Sequence, residues 1–92
     1  MTNSTKYIVE ATLASLINAG AILNVYIIED GTGRFHIVAR SSNGTDHRLE
    51  KKRGGERTFK TIDAAASLIR SLGMVKIHLH MNEFSPGTVP LL

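Results

Sequence analysis

Cysteine is absent from the 92-residue sequence, which removes together a disulfide framework, a thiolate zinc centre and a cysteine nucleophile. Aromatic residues are scarce, with two tyrosines and three phenylalanines, and by phase Phe35 and Phe59 read as core residues. Few rings are left to stack on unpaired bases, so single-strand binding of the oligonucleotide-barrel type is not expected. No apolar run reaches the roughly 20 residues needed to cross a bilayer. The nearest approach is Ala11–Leu23, where Ala19-Gly20-Ala21 mimics a signal cleavage site. Glu10 interrupts that approach, Lys6 is the only basic residue before it, and the apolar spacing is helical, so a secretory signal is not expected. The expected location is cytoplasmic.

Signatures of catalysis are missing as well. There is no Gly-x-Ser-x-Gly elbow and no Gly-x-x-x-x-Gly-Lys phosphate loop, and Gly31-Thr32-Gly33 falls in a hairpin rather than before a helix. The carboxylates are scattered over turns and helix starts. We therefore expect no enzyme, no catalytic residue, no cofactor and no resident metal.

What remains is an ordinary globular composition, 42% apolar and 21% charged. Residues 1–92 read as one domain, with 82–92 as an extended C-terminal tail. A chain of this length buries about 60% of its unfolded surface, so a homodimer is expected as a way to bury more. The net charge of +3 is unevenly placed. Between His47 and Lys60, six cations (Arg48, Lys51, Lys52, Arg53, Arg57, Lys60) stand against Glu50 and Glu56. That local +4 leaves −1 for the rest of the chain.

The spacing of Val9, Leu13, Leu16 and Ile17 predicts a first helix, capped at Ser4 or Thr5 and ended by Gly20. Ile22–Glu29, rich in β-branched residues, predicts a strand. After the turn at Asp30–Gly33, Arg34–Ser41 alternates Phe35, Ile37 and Ala39 against Arg34, His36, Val38 and Arg40. Asn43-Gly44 signals a hairpin, because both residues tolerate positive φ, and leads into a strand from Thr45 to Lys52. Gly54-Gly55 is either a bulge or a second tight hairpin. Thr61 caps a second helix whose buried stripe is Ile62, Ala65, Ala66, Ile69 and Leu72, ended by Gly73. A last strand places Val75, Ile77, Leu79 and Met81 on one side and Lys76, His78 and His80 on the other. The expected fold is α+β, in the order α-β-β-β-α-β, an antiparallel meander with both helices on one face.

Three features are candidates for binding. His78 and His80, at i and i+2 on a strand, share a face, and His36 on another strand could join them on a metal. Without a cysteine or a suitably spaced carboxylate, a tolerated polar face is the expectation. The second feature is basic: Arg34, Arg40, Arg48, Lys51, Lys52, Arg53, Arg57 and Lys60 could meet phosphates of double-stranded DNA or an acidic partner, or could guard an exposed edge strand. The order α-β-β-β-α is similar to that of the double-stranded RNA-binding domain, but the second helix opens Thr61-Ile62-Asp63-Ala64, without that domain's lysines. The third feature is the tail, where Phe84, Val89, Leu91 and Leu92 either dock on the chain itself or engage a second subunit or partner.

The second half carries a resemblance. Leu49-Glu50-Lys51-Lys52-Arg53-Gly54, Arg57-Thr58-Phe59, Thr61-Ile62-Asp63-Ala64-Ala65-Ala66, Leu72-Gly73 and Phe84-Ser85-Pro86-Gly87 resemble the ParC family of small partition-associated proteins over residues 45–87. Such proteins are encoded on bacterial plasmids beside a ParA-type ATPase and a ParB-type centromere-binding protein. The resemblance implies an accessory role in plasmid partition or maintenance, with no catalytic residue to carry over and with a ParA-type or ParB-type protein as partner. In that family a basic tail often follows the Pro-Gly, whereas the residues after Pro86-Gly87 here, Thr88–Leu92, include no basic residue. The function expected is a non-enzymatic adaptor acting through protein–protein contacts, with binding to DNA through a basic sheet face and Arg48–Lys60 as the alternative.

Overall fold

The computed structural model describes residues 5–81, with eight elements in the order β1 (Thr5–Ile8), α1 (Glu10–Asn18), β2 (Ile22–Glu29), β3 (Phe35–Ser41), β4 (Asp46–Leu49), β5 (Thr58–Phe59), α2 (Ile62–Ser71) and β6 (His78–His80). The sheet runs β1-β4-β3-β2-β6, and β5 pairs with the start of β3. The class is α+β, as expected, but the order and the pairing differ. The sheet is mixed, because β1 is parallel to β4 and β6 is parallel to β2.

The largest departure is at the N-terminus. The expected helical start is instead β1, and α1 begins at Glu10 behind an extended Val9 (φ −84°, ψ 164°) that offers no side-chain cap. The local chemistry explains it. Tyr7, Ile8 and Val9 form an aromatic and β-branched run suited to a pleated surface, and β4 supplies a partner in register, closed by Glu50 N donating to Ile8 O at 2.8 Å. The helical spacing of Leu13, Leu16 and Ile17 holds, with Leu13 buried and the other two packed at the core margin. Gly20 (φ 74°) ends α1 in a Schellman arrangement, with Gly20 N on Ile17 O at 3.0 Å and Ala21 N on Leu16 O at 2.9 Å. The second helix ends the same way at Gly73. Its start is as read from sequence, with Thr61 Oγ1 accepting from Ala64 N at 3.0 Å.

Hairpins join β2, β3 and β4. Asp30 Oδ1 accepts from Thr32 N at 2.8 Å and from Arg34 N at 3.3 Å, which braces the first turn. The second contains Asn43-Gly44, but only Gly44 takes positive φ (89°). Ser41 N donates to Thr45 O, making a three-residue loop with glycine in the left-handed position rather than a two-residue turn. Gly54 (φ 90°) and Gly55 (φ 87°) form a further hairpin, not a bulge. Lys51 N donates to Gly55 O at 2.8 Å, and Glu50 pairs with Glu56. That reversal frees the chain from β4 and carries it, as β5, to the other half of β3.

Both helices lie on one face, as expected. Leu13, Ala65 and Ile69 pack on Ile22, Val25, Ile27, Phe35, Ile37, Ala39, Leu49 and Phe59. The opposite face is uncovered among the described residues. From β1 towards β6, one row across it is Tyr7, Arg48, Val38, Tyr26 and His78.

Candidate interaction surfaces

The eight basic residues do not share one surface. Arg40 and Arg48 project from the open face of the sheet, and Arg34 joins them at its end beside Thr58. Arg57 turns to the helix side, and Lys51, Lys52 and Arg53 sit on the β4–β5 hairpin. Their partners matter more than their positions. Arg40 grips Asp46 with two donors, Nε on Oδ1 at 2.7 Å and Nη2 on Oδ2 at 3.1 Å. That pairing raises Arg40 above its ordinary pKa and lowers Asp46. Arg48 binds Glu56 through Nε (2.8 Å) and Nη2. Arg57 Nη1 donates to Glu10 Oε1 at 2.6 Å, tying the hairpin to the first turn of α1. Arg34 donates to the neutral hydroxyl of Thr58 at 2.7 Å. Lys51, Lys52, Arg53 and Lys60 are exposed, and among the described residues no ion pair engages them. Sequence reading counted these cations correctly, but their carboxylate partners are distant in the chain or across a hairpin, and spacing did not reveal them.

The open face also holds a cluster that sequence reading missed, His36 with Asp30 and Glu56. His36 is buried, with Nε2 against Asp30 Oδ2 and Nδ1 lying 2.7 Å from Glu56 Oε2. The second contact is too poorly aligned to count as a hydrogen bond. Asp30 is held well below the usual carboxylate range, chiefly by the hydroxyl and backbone N–H of Thr32 and then by His36. An imidazole between two carboxylates resembles acid–base machinery, but among the described residues no hydroxyl is hydrogen-bonded to the ring, whose one hydrogen-bond partner there is Asp30. The cluster therefore fastens the β2–β3 turn to the β4–β5 hairpin. Elsewhere, Glu29 Oε1 and His47 Nδ1 are buried without a hydrogen-bond partner among the described residues.

His78 and His80 share a face as expected, but they pack on Tyr26, with ring centroids 5.1 and 5.4 Å away. His36 stands two strands from His80, across Ile28, at about 10 Å. Among the described residues no cluster of three or more His, Asp or Glu could hold a metal ion. The last strand is shorter than the alternation suggested, covering His78–His80 alone, and Val75 and Leu79 do not join the core. Leu79 lies level with buried Ile27, yet β6 is the sheet's end, and Val75, Leu79 and Met81 stay exposed. Leu23, lifted by the register shift at Ile22/Asn24, is exposed beside them and lines a groove with Gly73, Met74 and Val75. At the other end of the molecule a shallow cleft of about 340 Å³ separates the start of α1 from the hairpin, lined by Val9, Glu10, Ala11, Ala14, Glu50, Lys52 and Arg57. No serine, threonine or cysteine is among its lining residues. The tail residues Phe84, Val89, Leu91 and Leu92 lie outside the described residues. Among those residues no helix is long and apolar enough to cross a membrane.

Comparison with known proteins adds one finding. A family model described as ParC-like matches residues 8–88, reaching well before the stretch that carries the resemblance in sequence. No curated protein and no solved structure matches the chain.

Proposed function

Because the chain belongs to the ParC-like family, we propose that it is a non-enzymatic accessory of bacterial plasmid partition, a cytoplasmic homodimeric adaptor that works by protein–protein contact. The observation that carries this reading is the contrast among the cations. Arg40, Arg48 and Arg57 are held by carboxylates of the chain itself, whereas Lys51, Lys52 and Arg53 stand together, exposed, at the tip of a hairpin that is braced at its base. A compact charge of this kind suits the steering of an acidic protein surface. It is a poor substitute for the broad basic face that duplex DNA would require. The partner in this reading is a ParA-type ATPase or a ParB-type protein, and Phe84, Val89, Leu91 and Leu92 are the tail residues that would add apolar contact.

The test is surface plasmon resonance of the ParA-type and ParB-type proteins of the same plasmid over the immobilised chain. Saturable binding by one of them, weakened at least tenfold by reversing Lys51, Lys52 and Arg53 to Glu, supports the reading. Binding to neither protein, together with micromolar binding to duplex DNA that the same reversal abolishes, replaces it with the DNA alternative.

A further inference from the structure

Three successive residues on the return arm of the β4–β5 hairpin are each gripped by a different part of the fold. Glu56 accepts from Arg48 of β4 through Nε at 2.8 Å and through Nη2, and its Oε2 lies 2.7 Å from Nδ1 of His36 on β3. Arg57 donates to Glu10 of α1 at 2.6 Å. Thr58 accepts from Arg34 Nε at 2.7 Å. The first and third grips lie on the open face of the sheet and the second on the helix side, so the arm is pinned from both faces. The tip that it carries, Lys51–Gly55, is exposed at every residue. Among the described residues no hydrogen bond or ion pair engages the tip's side chains, and its shape rests on backbone contacts: Lys51 N on Gly55 O at 2.8 Å and Gly54 N on Lys51 O at 2.9 Å.

Glu56 is the grip nearest the tip, directly after Gly55, and its charge runs against simple electrostatics. A carboxylate beside Lys51, Lys52 and Arg53 lowers the positive potential that would attract an acidic surface. Across the hairpin it pairs with Glu50, and like charges directly opposite one another are unfavourable in a sheet. An ion pair as open to solvent as Arg48–Glu56, with side chains 31% and 29% exposed, adds little stability. What the glutamate does supply is position. Two donors of Arg48 and the ring of His36 converge on one carboxylate oxygen, and this fixes the arm on which the tip stands. A loop that has to be ordered when a partner docks gives up part of the binding free energy, whereas a loop held in shape beforehand does not.

We propose that Glu56 is a positioning residue for the basic tip, holding Lys51, Lys52 and Arg53 as a preformed docking element for an acidic protein surface. This inference rests on the adaptor reading above and deepens it by naming the residue that sets the tip. Its consequence is a sign: removing a negative charge from beside the cations weakens the hold on an acidic partner. Electrostatics alone gives the opposite sign, because losing a carboxylate here raises the positive potential. Steering acts on the association rate and a preset shape on the dissociation rate, so the two effects separate kinetically.

The experiment compares Glu56→Met with Arg48→Met in the full chain. Both keep a long unbranched side chain and break the same contact, but they change the net charge in opposite directions. Amide hydrogen exchange reads the tip, and surface plasmon resonance reads the rates for the partition protein that binds the wild type in the assay above. Both variants should speed exchange at Lys51 N and Gly54 N, with exchange at buried Ile37 unchanged as the sign that the domain is folded. Both should raise the dissociation rate about fivefold, while their association rates move apart with charge. Unchanged exchange at the tip in both variants overturns the inference. A bound partner whose affinity rises for Glu56→Met and falls for Arg48→Met overturns the positioning role alone and leaves the adaptor reading standing. Binding of neither partition protein to the wild type overturns the adaptor reading and the docking role of the tip together.

Discussion

The ion pairs on the sheet set a limit on how this protein can respond to salt in the presence of DNA. Each phosphate neutralised by a cation contributes about 0.9 to the slope of log K against log salt for a duplex. If all eight basic residues of the candidate set reached phosphate, the slope would be about −7, and affinity would fall about 20,000-fold between 50 and 200 mM salt. Three of the eight, Arg40, Arg48 and Arg57, are bound to Asp46, Glu56 and Glu10. That leaves Arg34, Lys51, Lys52, Arg53 and Lys60, and a slope no steeper than about −4.5, equivalent to roughly 500-fold over the same interval. Replacing Lys51, Lys52 and Arg53 by Ala should flatten any remaining dependence to about −2 or less. The assay is fluorescence anisotropy of a labelled duplex at a series of salt concentrations, with circular dichroism to confirm that the variant folds. A wild-type slope near −7 would refute the reasoning, because it would mean that the sheet arginines leave their carboxylates for phosphate.

Other consequences concern stability. Leu13 is 1% exposed and is the one fully buried side chain of α1, so Leu13→Ala should cost about 2–5 kcal/mol in urea unfolding, enough to threaten folding in a domain this small. Thr61→Ala removes the acceptor for Ala64 N and should cost about 1 kcal/mol, read as a drop of roughly 4–8 °C in melting temperature. Asp30 and Asp46 both have folded pKa values below the ordinary carboxylate value. Their contribution is therefore complete above about pH 4 and is lost as pH falls below it. Acid titration followed by tryptophan-independent far-UV dichroism should show a shallower loss for Asp30→Asn and Asp46→Asn than for the wild type, the reverse of which would contradict the sign.

Much of the scaffold was legible because it rests on local rules. The β-branched run Ile22–Glu29 is a strand with those ends, Thr61 caps α2, and Gly20 and Gly73 close their helices in conformations that side chains resist. The alternation of Phe35, Ile37 and Ala39 against His36, Val38 and Arg40 correctly divides β3 between its two faces. Where the reading went wrong, a distant partner outvoted a local pattern. Tyr7-Ile8-Val9 could open a helix or an extended segment, and the parallel partner β4, some forty residues away, chose the second. The alternation from Val75 to Met81 predicted a longer strand than the three residues of β6, because a period of two says which residues share a face and not how far a neighbouring strand pairs with them.

The candidate site divides in the same way. Composition and order alone determined that the chain lacks cysteine chemistry, that its positive charge is concentrated between Arg48 and Lys60, and that residues 45–87 resemble a partition-associated family. Tertiary structure alone decided which cations remain free: Glu10 meets Arg57 from 47 positions away, and Glu56 reaches back across the hairpin to Arg48 and His36. Charge is a property of residues and can be counted along a chain. Its neutralisation depends on which residues the fold brings within a few ångströms, and long-range pairing of strands settles that.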